Sequence, residues 1–123
     1  MFHGASRTML ELEVRRTKSK GQGVFAPIFY RANELLAVSY VLPFKVKGTK
    51  LNELNDYPFD FGKGRDCIAF GVVSFCNHSS HPNARWKIDR KNRRLFLYAN
   101  TNIRYGEEIT IRYGCKLWFK EAK

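Results

Sequence analysis

Long apolar runs are missing from this chain. No window has the uninterrupted length that a membrane-spanning helix needs, and Met1–Arg7 has no signal-type hydrophobic region. The expectation is a soluble intracellular protein. Cysteine is scarce: Cys67, Cys76 and Cys115 are odd in number and lack Cys-x-x-Cys spacing. That argues against a disulfide scaffold and against a four-cysteine zinc cluster. Acids are also short, 11 Asp and Glu against 22 Lys and Arg, for a net charge of +11. Repeats, linkers and low-complexity tracts are absent.

What is present suits one folded domain. A length of 123 residues with 44% apolar and 15% aromatic content can bury a core. The cationic excess is uneven, nine bases against six acids over residues 1–61 and thirteen against five over 62–123. Arg85, Lys87, Arg90, Lys91, Arg93 and Arg94 face only Asp89. Such a cluster favours a polyanionic partner, although a solvated hairpin tip would have the same composition.

The apolar pattern is that of a mainly β protein with short strands. Leu10–Arg16 alternates as a half-buried strand does. Lys18–Gly23 reads as a turn, Val24–Ala26 as a second strand closed by Pro27, and Glu34–Phe44 as a third. Residues 45–66 read as an irregular insert around Tyr57–Phe61, and the continuous apolar run Cys67–Cys76 as a short buried helix or turn. Arg85–Asp89 and Arg94–Tyr98 alternate on either side of Lys91-Asn92-Arg93, a hairpin signal. Glu108–Tyr113 alternates again.

Three motifs carry the chemistry: Gly21-Gln22-Gly23-Val24-Phe25-Ala26; Cys76-Asn77-His78-Ser79-Ser80-His81-Pro82-Asn83; and Gly106-Glu107-Glu108-Ile109-Thr110-Ile111-Arg112-Tyr113-Gly114. The first formally fits G-x-G-x-x-A, but a dinucleotide site needs a helix after it and an acid about twenty residues on. Here Pro27 and β-formers follow, and the region near residue 46 is basic. Cys76, His78 and His81 are chemically suited to zinc, yet no fourth ligand has sensible spacing unless Cys67 or Cys115 folds in.

Taken in order, the trio resembles the SET-domain protein lysine methyltransferases, over nearly the whole chain, and looks most like the minimal SET proteins of large DNA viruses. The resemblance implies a SET fold of several small sheets with a C-terminal pseudoknot, a single domain at 1–123, and no pre-SET or post-SET zinc module. It implies S-adenosylmethionine as cofactor, held by Gly21, Gly23, Val24, Phe25, Asn77, His78, Tyr113 and Trp118, with no metal. Asn77 and His78 would act largely through backbone groups, leaving the His78 ring a buried strut. Tyr113 would be the catalytic tyrosine, assisted by Tyr57. Tyr57 and Leu117 would line the lysine channel, and Trp118 would stack on adenine.

The substrate implied is a lysine in a histone H3 tail or in another protein, and the place of action the nucleus. Nucleosomal DNA is a candidate contact for the basic hairpin, and a second copy of the chain is a candidate partner. Four positions depart from the family pattern. Ser74 stands for a common Arg, Ser80 for a frequent Cys, Arg112 for a frequent acid and Leu117 for a pocket Tyr. Two other readings remain open at this point: a SET-like binding module without catalysis, and a basic nucleic-acid-binding β-domain.

Overall fold

A computed structural model describes residues 11–45 and 59–112, and among these described residues nine strands form two sheets. In chain order they are β1 Glu13–Arg16, β2 Gln22–Phe25, β3 Leu35–Lys45, β4 Phe59–Gly62, β5 Arg65–Ala69, β6 Asn77–His78, β7 Ala84–Asp89, β8 Arg94–Ala99 and β9 Glu108–Ile111. The sole helical element among the described residues is a 3-10 turn, Val72–Phe75. This is the mainly β architecture of small sheets that the pattern predicts.

The larger sheet has the order β4-β5-β3-β8-β7 and is antiparallel throughout. Period-two patterning decides its faces. On β8, Leu95, Leu97 and Ala99 are buried, while Arg94, Phe96 and Tyr98 point outward. On β3, Val38, Tyr40 and Leu42 are the exposed set. The β7–β8 hairpin turns where the sequence predicts. Arg93 takes a positive φ of 54°, and Asp89 ties the turn by accepting from the Asn92 backbone at 3.2 Å and its side chain at 2.9 Å. Those bonds hold the exposed Asp89 carboxyl below its ordinary range.

The smaller sheet, β1-β2-β9-β6, positions the site. β9 lies in its interior, paired on both edges, and its Ile109 and Ile111 are both fully buried, each stabilising the fold by about 1.5–3 kcal/mol. Its two neighbours run differently: β2 pairs antiparallel and β6 parallel. A second connection, a two-way backbone pair between Tyr30 and Ile103 at 2.8 Å in each direction, holds the β2–β3 link against the segment before β9.

Two expectations need correction. The span 45–66 is not irregular throughout, since Phe59–Gly62 is a strand and Arg65 opens the next. Phe59 and Phe61 alternate into the core around Asp60 and supply the apolar face that the polar surroundings obscured. The run Cys67–Cys76 begins as β5, with Cys67 and Ala69 buried against β3 and β4, and only then turns at Gly71 (φ 94°) into the 3-10 segment.

Candidate functional site

The three motifs meet on the smaller sheet. Val24 on β2 faces Ile109 on β9, and Phe25 faces Glu108; on the far side of β9, Asn77 pairs with Thr110 and His78 with Ile111. Residues more than fifty apart in sequence therefore line one short stretch of β9. Tyr57, Tyr113, Leu117 and Trp118, the other candidates, lie outside the described residues.

Local chemistry makes the glycine turn. Thr17 accepts from the Lys20 backbone at 2.7 Å through its hydroxyl, which also donates to the Gly21 carbonyl at 3.0 Å. The Thr17 backbone N–H reaches the same carbonyl at 2.6 Å. Gly21 sits at φ 76°, where a side chain is strained. Gly23 is required for a different reason. A Cβ there would lie 2.7 Å from both the Glu108 carboxylate and the Thr17 methyl, and 3.1 Å from the Asn77 amide.

Those contacts define a polar knot joining all three motifs. The two donors of the Asn77 amide are divided between the Gln22 carbonyl at 2.9 Å and Glu108 Oε2 at 2.7 Å. Lys20 Nζ approaches Glu108 Oε1 at 3.1 Å. Asn77 is thus a side-chain clamp as well as a backbone participant. On so short a strand, with Asn77 turned into this knot, the next side chain faces away, and His78 is exposed rather than the buried strut expected. Val24 is fully buried, so its contribution toward a ligand is confined to its main chain, while Phe25 is half-buried beneath the Arg15 guanidinium at 4.6 Å.

Two buried thiols are present among the described residues, Cys76 just before β6 and Cys67 on β5 of the larger sheet. Burial first, and then the Glu108 charge, pushes Cys76 up to about 12; burial and the Asp66 and Asp60 carboxylates push Cys67 to about 12 as well. Neither is a thiolate at neutral pH, so both act as small apolar fillers. In a Cys115→Ser background, a thiol reagent at pH 8 is expected to leave the native protein unlabelled. Both thiols should react once denaturant is added, and labelling of the native state at the rate of the unfolded chain would contradict this.

Two residues that the sequence reading left without roles complete the wall. Asn83 bridges to β9 by donating to the Glu108 carbonyl at 2.8 Å and accepting from the Thr110 N–H at 2.8 Å. Trp86 on β7 donates its indole N–H to the Arg112 carbonyl at 2.9 Å. Both stand within ten residues of Asn77, so proximity to that motif was the available signal.

This arrangement has known counterparts. The SET-domain family profile matches residues 21–114. A Schizosaccharomyces pombe protein, the histone-lysine N-methyltransferase specific for H3 lysine-37, is 36% identical over 114 residues, spanning 89% of this chain and 78% of that protein. SET domain-containing protein 8 of the same yeast is 38% identical over 50 residues, 41% of this chain but 11% of its own length. Among solved structures, a Plasmodium falciparum protein provisionally assigned as a histone methyltransferase superposes with a TM-score of 0.72 at 26% identity, covering 88% of this chain and 96% of that one. The Neurospora SET domain protein DIM-5, a histone lysine methyltransferase, gives 0.64 at 22% identity, covering 85% and 52%, a likeness of fold alone. None of these is viral, and they lend no support to the viral likeness that the sequence suggested. Motif order, the sheet on which the motifs converge and the relatives agree: the chain belongs to the SET-domain family.

Proposed function

We propose that this protein is a lysine N-methyltransferase that takes its methyl group from S-adenosylmethionine and delivers it to a histone H3 tail in the nucleus. One observation carries the reading: β9, which leads directly into Tyr113, is clamped between the glycine turn and the Asn-His-Ser segment by the Asn77–Glu108 knot. The match over 89% of the chain to a methyltransferase specific for H3 lysine-37 supports the substrate class.

The residues present fit the cofactor in a way that a flexible turn would not require. Gly21 leaves its surroundings open, Gly23 cannot accept a side chain, and the Asn77 amide and Glu108 carboxylate meet beside them. Gly21, Gly23, Val24, Phe25, Asn77, His78, Tyr113 and Trp118 are the residues that would hold the cofactor. When bound, S-adenosylmethionine supplies an electrophilic methyl on a positive sulfonium. The lysine nitrogen must arrive with a free lone pair and lose a proton to solvent. Free lysine titrates near pH 10.4, and an aromatic channel beside a positive charge lowers that value by desolvation and like-charge repulsion. Tyr113 and Tyr57 would orient the amine, Leu117 would shape the channel, and positioning would provide most of the acceleration. The basic β7–β8 hairpin supports a contact with nucleosomal DNA.

The test is methyl transfer from labelled S-adenosylmethionine to core histones and to H3 peptides, one of them centred on lysine 37. Label on H3 that falls by about a hundredfold in Tyr113→Phe is expected. Between pH 7 and 9.5 the rate should climb, because raising the pH increases the neutral fraction of the amine. Cofactor binding without label on any histone or peptide would overturn the H3 assignment and point to a non-histone target or to a non-catalytic binding module with a pocket disabled at Leu117. Tight, salt-sensitive DNA binding without cofactor affinity would replace the whole reading with the nucleic-acid-binding domain.

A further inference from the structure

The outer face of the larger sheet sets aromatic rings between cations. Residues directly opposite each other on neighbouring strands share a face, so the register sorts this one into rows. Arg85 on β7 stands opposite Tyr98 on β8; Lys87 stands opposite Phe96, which in turn faces Val38 on β3. In the next row Arg94 lies between Asp89 and Tyr40. Asp89 is the acid of these rows, and its carboxylate is engaged by Asn92. Two further acids, Asp60 and Asp66, lie toward the opposite edge on β4 and β5.

β3 is the central strand of five, so the exposure of Val38, Leu42 and above all Tyr40, at 63%, is not that of a sheet edge. Apolar side chains gathered on one open face mark a contact surface. The cations lie against the rings. The Arg94 guanidinium is 5.1 Å from the Tyr40 ring centroid and that of Arg85 is 5.3 Å from the Tyr98 centroid. Arg85 donates to neutral oxygens, those of the Ala99 carbonyl and the Asn100 and Asn33 side chains, which leave its charge uncancelled.

We propose that this face binds single-stranded RNA. Such a strand offers phosphates to Arg85, Lys87 and Arg94. Its unpaired bases stack on aromatic rings and guanidinium planes whatever their sequence. Its 2′-hydroxyls add a donor and an acceptor that the tyrosine hydroxyls are chemically suited to meet. A DNA duplex offers the same phosphates but keeps its bases stacked inside, which would set Val38, Tyr40 and Phe96 against a charged backbone. A second copy docked symmetrically on this patch would set cations against cations, in a chain of net charge +11. Unpaired RNA uses both the rings and the charge. The inference goes beyond a hairpin contact with nucleosomal DNA and is independent of methyl transfer, because none of these residues belongs to the sheet on which the three motifs meet.

The test is fluorescence anisotropy of a labelled oligouridine with the full chain over a range of salt concentrations. The same strand annealed to oligoadenosine is the duplex arm, and oligodeoxyuridine is the DNA arm. The single RNA strand is expected to bind at least about tenfold more tightly than the duplex. Tyr40→Ser leaves the net charge unchanged and should weaken binding about ten- to a hundredfold without altering the salt dependence. Lys87→Gln should make the slope of log affinity against log salt shallower by about 0.7, the value for one phosphate contact on a single strand. Both positions are exposed, so both variants should keep the wild-type unfolding midpoint and any transfer of methyl to an H3 peptide. Equal affinity for the duplex, or wild-type binding by Tyr40→Ser, would overturn the inference and reduce the face to general attraction for polyanions. Tighter binding of oligodeoxyuridine would overturn it in favour of single-stranded DNA. A dimer in sedimentation that Tyr40→Ser dissolves would overturn it in favour of a second copy.

Discussion

Asn83→Ala should destabilise the protein by about 2–4 kcal/mol, although Asn83 belongs to no strand. Its side chain stands in for one. β6 is two residues long, and its backbone pairing with β9 covers Thr110 and Ile111, continued only by the Ser79 N–H to the Ile111 carbonyl at 2.9 Å. The Asn83 amide takes over, donating to the Glu108 carbonyl and accepting from the Thr110 N–H, both at 2.8 Å. The Asn83 N–H approaches the Thr110 hydroxyl at 3.3 Å, and its carbonyl accepts from the Asn100 N–H at 2.7 Å. Alanine removes the first pair and strands a donor and an acceptor in a partly buried place, where each unmade bond costs about 1–3 kcal/mol.

Denaturant unfolding measures the effect as a lower midpoint at unchanged slope. Asn83→Asp keeps the acceptor but aims a carboxylate oxygen at the Glu108 carbonyl, so it should be no better than alanine. A loss under about 0.5 kcal/mol for Asn83→Ala, within the range of an ordinary surface change, would mean that water replaces the amide without cost.

Gly23→Ala is expected to weaken S-adenosylmethionine binding by about ten- to a hundredfold, the cost of displacing positioned groups. The added methyl would fall 2.7 Å from Glu108 Oε2 and from the Thr17 methyl. A flexible carboxylate often moves aside, but this one is held by Lys20 at 3.1 Å and Asn77 at 2.7 Å. Relief therefore breaks the knot that joins the three motifs, and overpacking adds about 1–3 kcal/mol of instability.

Gly21→Ala is the informative control, because its Cβ would meet nothing within 4 Å. Its cost is conformational, about 1–2 kcal/mol for a side chain at positive φ. Titration calorimetry on the two variants should separate them: affinity falls at Gly23 and stays within a few-fold at Gly21. Equal affinities would show that the knot does not shape the cofactor wall.

Much of this was legible along the chain because it depends on neighbours in sequence. The alternation Arg85–Asp89 and Arg94–Tyr98 around a polar turn is visible without knowing what either strand packs on. The same holds for Ile109 and Ile111, whose spacing puts both on one face. β4 escaped for the opposite reason: Phe59 and Phe61 carry a period-two signal four residues long, beside a stretch with no apolar pattern to extend it. Cys67–Ala69 looked like a buried helix or turn because an unbroken apolar run has no period to read, and length alone could not decide.

The site divides along the same line. The sequence by itself determined which motifs would matter, since Gly21, Gly23, Asn77 and Glu108 lie in short segments whose residue types are chemically conspicuous. It could not determine that Asn77 spends its amide on Gln22 and Glu108, that His78 consequently faces out, or that Trp86 reaches Arg112. Those outcomes depend on a parallel pairing between β6 and β9, which needs a long connection to bring its strands together. Local preferences act over a few residues, whereas these hydrogen bonds join groups 26 to 55 positions apart. Only the folded sheet brings their donors and acceptors within 3 Å.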